Sequence, residues 1–556
     1  MPLHIDTMMT PKIYPLSETA ISIEWCDRID ENVSQKILQA DQLLNKFPFG
    51  GFVETVPAYT TLTVFYRPEL VVNETASPFE VVKKIVEKLL EEPQAAEIKE
   101  SGLFNIPVCY DDEFGYDLEF IASTNGISKE TVIDLHQKKE YRVYMMGFLP
   151  GFAYMGEVDD IIATTRKSSP RPIVEEGSVG IAGKQTGIYP LSSPGGWQIV
   201  GRTPLCLFDI QKEDPFLLKT GNRIKFYPIS KQEFDKIIKE HDIKPFIKED
   251  PGAADAVVIK PGVFSTIQDG GRLGYRVYGV PSGGVMDELA HSTANALAGN
   301  TKNAATIECT MGGLLIQFKK NAVIAVTGGG AAFINGKKIK LYQPLSLDKN
   351  DSLEIKYNND GIRTYIAVRG GFSAENIMNS KSVCLRAGIG SAFKKEDGLR
   401  FDNEVAAEKR TGTNRSVPTY TTHASIRVIA GAENDWMTTE SIQQFNSQNF
   451  ILSNRCDRMG YHLQSDPLLL QISTELLSTA VTKGTIQLTP GGQLIVLMSD
   501  CQTTGGYPRV AQVAAVDLPV LAQLKPGDTI QFINIPHADA EKLYLLHQKK
   551  IDELFG

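Results

Sequence analysis

The segment Gly177–Pro204, GSVGIAGKQTGIYPLSSPGGWQIVGRTP, decides how this chain is read. It holds seven glycines, a Gly-Lys pair and one arginine, so a phosphate-cradling NTPase loop is the first possibility to test. That loop needs four residues between its first glycine and Gly-Lys, and then a Ser or Thr to hold magnesium. Here five residues separate Gly177 from Gly183, and Gln185 stands where the hydroxyl belongs. Tyr189, Pro190 and Pro194 follow, and they cannot open the long helix whose N-terminus would face the phosphates. The segment is no P-loop. Glycines alternating with β-branched residues predict short strands and tight turns.

Working outward, 556 residues exceed one hydrophobic core and suggest roughly three to four domains. A net charge of −9 without a basic stripe argues against nucleic acid and anionic membranes as partners. No apolar run approaches the ~18 residues of a membrane span, and MPLHIDTMMTPKIYP does not read as a secretory leader. The seven cysteines are scattered and form no CxxC pair, which predicts reduced thiols in a cytoplasm and no structural zinc. The eight histidines form no close metal pair, so no intrinsic metal is expected, although carboxylates could hold Mg2+ beside a nucleotide.

The predicted fold class is mainly β with an α+β N-terminal part. In residues 1–100, AISIEWC and TLTVFYR alternate as strands, while NVSQKILQADQLLNKF and PFEVVKKIVEKLLEE have helical periodicity. Residues 101–235 read as a β-barrel interrupted by one short helix at SKETVIDLHQK. A charged linker is placed at 236–255, a strand-rich region of two barrel-like lobes at 256–537, and a helix at 538–556 that packs on its own domain. The halves echo each other. QTGIYP at 185–190 pairs with QTTGGYP at 502–508, LKTGNRIKF at 218–226 with LKPGDTIQF at 524–532, and LDKNDSLEIKY at 347–357 is a weaker third. Duplicated barrels are the expectation.

Longer motifs carry a resemblance. IPVCYDDEFGYDLEFIA, GFLPGFAYMG (147–156), GIAGKQTGIYP and PGGWQIVGRTP resemble the allophanate hydrolase subunit 1 family, which includes the B subunit of 5-oxoprolinase and sporulation-kinase inhibitors. PGVFSTIQDGGRLGY, GVPSGGVMD, AVRGGF, NRCDRMGYHL and LMSDCQTTGGYPRVAQV resemble the subunit 2, or biotin-dependent carboxyltransferase-like, family, which includes the C subunit of 5-oxoprolinase. Tyr116 departs from the usual Pro, and GAEND from a Gly-Pro-Gln. The resemblance implies cyclophilin-like β-barrels, the A subunit of 5-oxoprolinase as a separate partner, 5-oxoproline as substrate, and ATP with Mg2+ as cofactor. A homo-oligomer is also expected.

The implied chemistry directs attention to certain residues. A lactam is a poor electrophile, and phosphorylating its oxygen would create a leaving group, which needs donors around phosphate oxygens and a carboxylate. Candidate donors are Arg202, Lys184 and the turns at Gly183–Gly187 and Gly195–Gly196, with Gln185, Tyr189 and Thr203 beside them. Arg202 could equally pair with a structural Asp. Asp500, Gln502, Thr503, Thr504, Gly505, Gly506, Tyr507 and Arg509 follow the apolar GQLIVLM, as at a strand that ends on a pocket rim; a polar turn is the alternative. Gln268, Asp269, Arg272 and Asp287 extend the set, although Asp287 could equally cap a helix. Arg455, Asp457 and Arg458 fit either a surface ion cluster or an anion site. His136 is a candidate proton carrier or a structural histidine, and Tyr154 a pocket wall, with Phe148 and Phe152 assigned to the core. Arg202 and Asp500 are expected to serve turnover rather than folding.

Three functions fit these readings. The first is an ATP-dependent 5-oxoprolinase component that fuses the B and C subunits. The second is a biotin-dependent carboxyltransferase like urea carboxylase, for which the chain offers no biotin-acceptor lysine flanked by methionines, so no covalently bound biotin is expected. The third is a histidine-kinase inhibitor module.

Overall fold

The computed structural model describes residues 11–71, 76–91, 102–167, 169–240, 254–402, 420–472 and 476–556. Alternation in the first of these segments builds a four-stranded antiparallel sheet in the order Lys12–Ser17, Ala20–Glu24, Thr61–Tyr66, Phe52–Pro57. Two helices cover one face. Glu31–Lys46 starts behind Asp30, whose carboxylate accepts the amides of Asn32 and Val33, and Pro78–Glu91 starts on its proline. Ile21, Ile23, Leu62 and Val64 pack against Ile37, Leu44, Val82 and Val86, as the two periodicities require.

The first barrel has seven strands in the order Gln198–Arg202, Ser178–Ala182, Gln185–Ile188, Ala153–Gly156, Glu140–Met146, Arg223–Pro228, Leu103–Val108. Its two outer strands meet through Cys109 and Arg202, whose amides and carbonyls exchange hydrogen bonds of 2.8 and 2.9 Å, and the sheet closes into a ring. Ile106, Val143, Met155, Ile181 and Ile224 fill the interior. The helix expected at SKETVIDLHQK forms as Lys129–Lys138 behind its cap Ser128. A second helix, Leu118–Asn125, stands where strands were expected. Its apolar Leu118, Ile121 and Ala122 face the barrel core, and the chain turns off at Gly126.

A second seven-stranded barrel is closed in the same strand order: Arg509–Val513, Thr485–Leu488, Leu494–Leu497, Gly460–Gln464, Phe450–Cys456, Thr529–Asn534, His423–Ala430. In both barrels the last strand in the chain lies parallel to the first. The 218–226 and 524–532 echo leads into equivalent strands. The 185–190 and 502–508 echo does not: Gln185–Ile188 is a strand whose counterpart is Leu494–Leu497, and Gln502 lies in the following loop. Gly-Tyr-Pro turn chemistry recurs there without a common position. The 347–357 echo contains strand Ser352–Lys356, in a sheet of different order.

Between the barrels, residues 256–402 form a seven-stranded and a five-stranded sheet, with helix Glu288–Ala298 packed on Ala322–Gly328 and Arg363–Val368. The expected linker runs into helix Lys231–Glu240, and most of the remainder lies outside the described residues. The last helix, His537–Asp552, packs on more than its own barrel. Glu541 accepts the Phe79 amide at 2.8 Å, His537 bonds the Ser17 carbonyl at 3.2 Å, and its ring meets Phe79 edge-on. No helix among the described residues is long and apolar enough to cross a membrane.

The two halves dock through their glycine motifs. The Gly151 amide donates to the Tyr278 carbonyl at 2.9 Å. Gly279, at φ +80°, lies so close to the Leu149 carbonyl that a Cβ would stand 2.4 Å from it, and a Cβ on Gly147 would stand 1.9 Å from the Thr504 hydroxyl. Only glycine fits either place.

Candidate functional site

A cleft of about 410 Å3 opens where the N-terminal layer, the central sheets, the second barrel and the last helix meet. The central sheets supply the turn Ser282–Val285 and, from helix Glu288–Ala298, Glu288, His291 and Ser292. The second barrel supplies Thr482, Lys483, Ser499 and Cys501–Thr503, and the remaining walls include Arg67, Glu69, Tyr544 and Gln548. Four cations, Arg67, Arg276, Lys302 and Lys483, face two acids, Glu69 and Glu288.

Lys483 donates to the carbonyls of Val285 and Met286 at 3.1 and 2.9 Å, which leaves one of its three N–H directions free for the cleft. Burial pushes its amine down to about 8. The hydroxyls of Ser292 and Thr503 are buried with no hydrogen-bond partner, an arrangement that is costly unless a ligand or water completes it. Arg276 is held by Ser282 at 2.7 Å and lies over the Phe65 ring.

Beneath the cleft floor runs a buried chain of charge. Arg458 binds Asp500 through two nitrogens, Glu308 at 2.6 Å and the Gly284 carbonyl at 2.6 Å. Glu308 also accepts Tyr365 at 2.7 Å and the Met286 amide at 2.8 Å, and Arg363 stands 3.8 Å away. Burial would raise Glu308, but Arg458 and Arg363 outweigh it and hold the carboxyl below its ordinary value. For Asp500 burial prevails, and its carboxyl is raised despite Arg458.

This geometry gathers part of the sequence-derived set. Gln502 and Thr503 line the cleft, and Gln268 reaches Arg458 at 3.3 Å beside Asp500. Arg272 is wholly buried, donates to the Ser382 carbonyl at 2.6 Å, and leaves Nη1 unpartnered. Asp269 accepts Ser380, Ser382 and the Lys381 amide, each at 2.6 Å; burial would raise it, but these bonds hold it below its ordinary value. Asp287 caps helix Glu288–Ala298 through Ala290 and takes Gln523 at 2.8 Å, and burial raises it to about 6.

The other candidates sit apart from the cleft. Arg202 pairs with Glu175, donates to the Glu176 carbonyl at 2.7 Å, and lies over Phe114 and Phe234. Lys184 pairs with Asp160 at the surface, Gln185 is buried, and Thr203 accepts the Leu205 amide. Tyr189 is buried with Phe152, Tyr154 and Trp197; Gly195 packs against its ring, and Gly196 lies near Pro170. Thr504 and Gly505 pair with Ala480 and Thr479, Gly506 is next to Ser478, and Tyr507 is exposed. Arg509 is a buried two-point partner of Glu433 and reaches Tyr14 at 3.1 Å.

His136 is fully buried and stacked on Phe226. Thr186 gives its hydroxyl proton to the Gly180 carbonyl, so it accepts from His136 Nε2, and Nδ1 accepts from Tyr110. Burial alone pushes this imidazole down to about 3. Among the described residues no three His, Cys, Asp or Glu side chains gather as a metal site, and none of the seven cysteines is in a disulfide.

The family described as carboxyltransferase domain, subdomain C and D, matches residues 11–218, and that described as subdomain A and B matches 278–534. Over 227 residues the chain is 46% identical to the B subunit of 5-oxoprolinase from Bacillus subtilis, covering 40% of this chain and 95% of the relative. Over 301 residues it is 34% identical to the C subunit of 5-oxoprolinase from Escherichia coli, covering 53% of this chain and 96% of the relative. The chain belongs to the carboxyltransferase-domain family that includes the B and C subunits of 5-oxoprolinase. Its fold is similar to the crystal structure of TTHA0988, with a TM-score of 0.80 and 30% identity over 92% of this chain and 99% of that one.

Within this family architecture, sequence reasoning missed Glu308, Arg363, Lys483, Arg276 and Ser292. Each lies in an ordinary strand, helix or turn, and only the fold brings it to the cleft or to the charge chain beneath it. Arg458 fits two readings in the sequence, and its burial separates it from Arg455 and Asp457 at the surface.

Proposed function

We propose that this chain is the B–C component of an ATP-dependent 5-oxoprolinase and works with a separate A subunit. The observation that carries the reading is the cleft: four cations and two unpartnered buried hydroxyls converge on a space that suits a small anionic substrate with oxyanions to hold. Lys483, Arg276 and Lys302, with the hydroxyls of Ser292 and Thr503, would hold carboxylate or phosphate oxygens, and Glu69 or Glu288 would face Mg2+ carried on the nucleotide. ATP bound there would supply the phosphoryl group that makes the lactam oxygen a leaving group. Lys483, held near neutral pKa by burial, can give or take a proton at Nζ in the cleft. The charge chain below it fixes Gly284 and Met286, and so keeps the floor still. A cytoplasmic, self-associating protein belongs to the same reading.

The test is release of glutamate and ADP from 5-oxoproline and ATP by this chain, by the purified A subunit of 5-oxoprolinase, and by both. Release only with both supports the reading; no release with folded protein ends it. The description of the matched family favours a second reading, carboxyl transfer with biotin supplied by another protein. Carboxylation of a small amide that depends on a biotin carrier, without glutamate formation, would select it.

A further inference from the structure

A second cavity, of about 470 Å3, lies between helix Glu31–Lys46, the barrel turn Lys219–Arg223, and Val277–Tyr278 of the other half. We infer that this cavity is a binding site for a small oxyanion, a carboxylate or phosphate, separate from the cleft and seated where the two halves touch.

The charge balance is the first argument. Arg142, buried in the wall, and Arg223, on the rim, share one carboxylate: Glu31 lies 3.5 Å from the first and 2.7 Å from the second. Lys219 adds a third cation, paired outward with Asp214. The one acid in the lining, Asp41, is already engaged by Thr55 and Asn45, and burial raises its carboxyl toward the neutral form. The lining itself thus presents three cations and one acid. The second argument is unused hydrogen-bonding capacity. The Thr220 hydroxyl is buried without a partner, and the side-chain amides of Gln35, Gln39 and Gln42 line the same cavity. A guanidinium, a hydroxyl and carboxamides together suit an oxyanion, and the planar Arg142 fork favours two oxygens on one atom.

The test is calorimetric titration of the full chain with inorganic phosphate, glutamate and 5-oxoproline, each alone. One of these should saturate a site whose Kd rises roughly tenfold in Arg142→Gln and in Thr220→Val, while Lys483→Met in the cleft leaves that Kd unchanged. Phosphate or a carboxylate saturating the site identifies which oxyanion it takes. Should Arg142→Gln fail to fold, Thr220→Val and Gln39→Leu carry the same comparison. The inference is overturned if no probe saturates by about 10 mM, a range that corresponds to under ~3 kcal/mol of binding. It is equally overturned if the folded cavity variants leave every Kd unchanged or if only Lys483→Met moves them. Because no turnover is measured, loss of the 5-oxoprolinase reading would leave this result standing.

Discussion

Arg458 holds both carboxylate oxygens of Asp500, at 2.9 and 2.8 Å, while Nη1 reaches Glu308 and Nη2 also donates to the Gly284 carbonyl. The guanidinium therefore ties the second barrel to the central sheets and to the cleft floor at once. Removing it leaves two buried carboxylates facing each other. Arg458→Met should cost about 3–5 kcal/mol, read from urea melts. Asp500→Asn keeps the shape and one acceptor, and should cost about 1–3 kcal/mol. Full stability in either variant would show that the chain of charge does not hold the floor.

Arg202→Ala should behave differently. Its ion pair with Glu175 is partly exposed, and such pairs contribute about 0–1 kcal/mol. The strand closure at Cys109 uses Arg202 backbone atoms, which the substitution keeps. Wild-type turnover with a slightly lowered melting temperature is expected; a loss of turnover of a hundredfold or more, on the order of 3 kcal/mol of barrier, would return Arg202 to the site.

Lys483→Met removes the cleft amine and keeps its apolar stem. Glutamate release, assayed with the A subunit of 5-oxoprolinase, should fall by roughly a hundredfold or more. The pH–rate profile of the parent chain should show a limb near 8 that the variant lacks. A variant that retains the limb would assign it to another group.

His136 offers a pH test with a fixed sign. Its folded value near 3 lies below the ordinary 6.5, so the unfolded chain takes up the proton first. The stability it contributes is complete above about pH 6.5 and is lost as pH falls toward 3. Glu18 and Asp287, raised to about 7 and about 6, act in the opposite direction, so the comparison must be between chains differing only at 136. The stability difference between the parent and His136→Gln should shrink by roughly 2 kcal/mol from pH 7 to pH 5 in urea melts. A constant difference would mean that the imidazole is not buried neutral.

Gly147→Ala should loosen the seam between the halves, since its new methyl group would meet the Thr504 hydroxyl. A cost of about 1–3 kcal/mol is expected, partly relieved by Thr504→Ala in the same chain. Additive effects in the double variant would place the two residues out of contact.

Local pattern made the barrels legible. Alternating β-branched residues and Gly-Pro turns within the opening segment point to the strands found at Ser178–Ala182, Gln185–Ile188 and Gln198–Arg202, and the 218–226 echo matches its counterpart in register. The helix Leu118–Asn125 was missed because its short apolar run has no period long enough to distinguish helix from strand. The site was legible only where a motif forms its wall, as at Gln502–Thr503. Polar glycine-rich turns look alike whether they line a cleft or brace a barrel, so Arg202, Lys184 and Asp500 read alike although one closes a ring, one pairs at the surface and one anchors a buried charge chain. Glu308 and Lys483 stand in no motif, and their meaning comes from burial across 174 residues of intervening chain.

The last helix reaches back to the N-terminal layer, with Glu541 on Phe79 and His537 on Ser17, while Arg509 reaches Tyr14. The N-terminal layer, the second barrel and the last helix are thus fastened to one another. Where the B and C subunits are separate molecules, such a seam would be an equilibrium set by their concentrations. Joined by one backbone, the halves meet at an effective concentration on the order of millimolar, so diluting the protein cannot part them. A cleft whose walls come from both halves then stays assembled at any expression level.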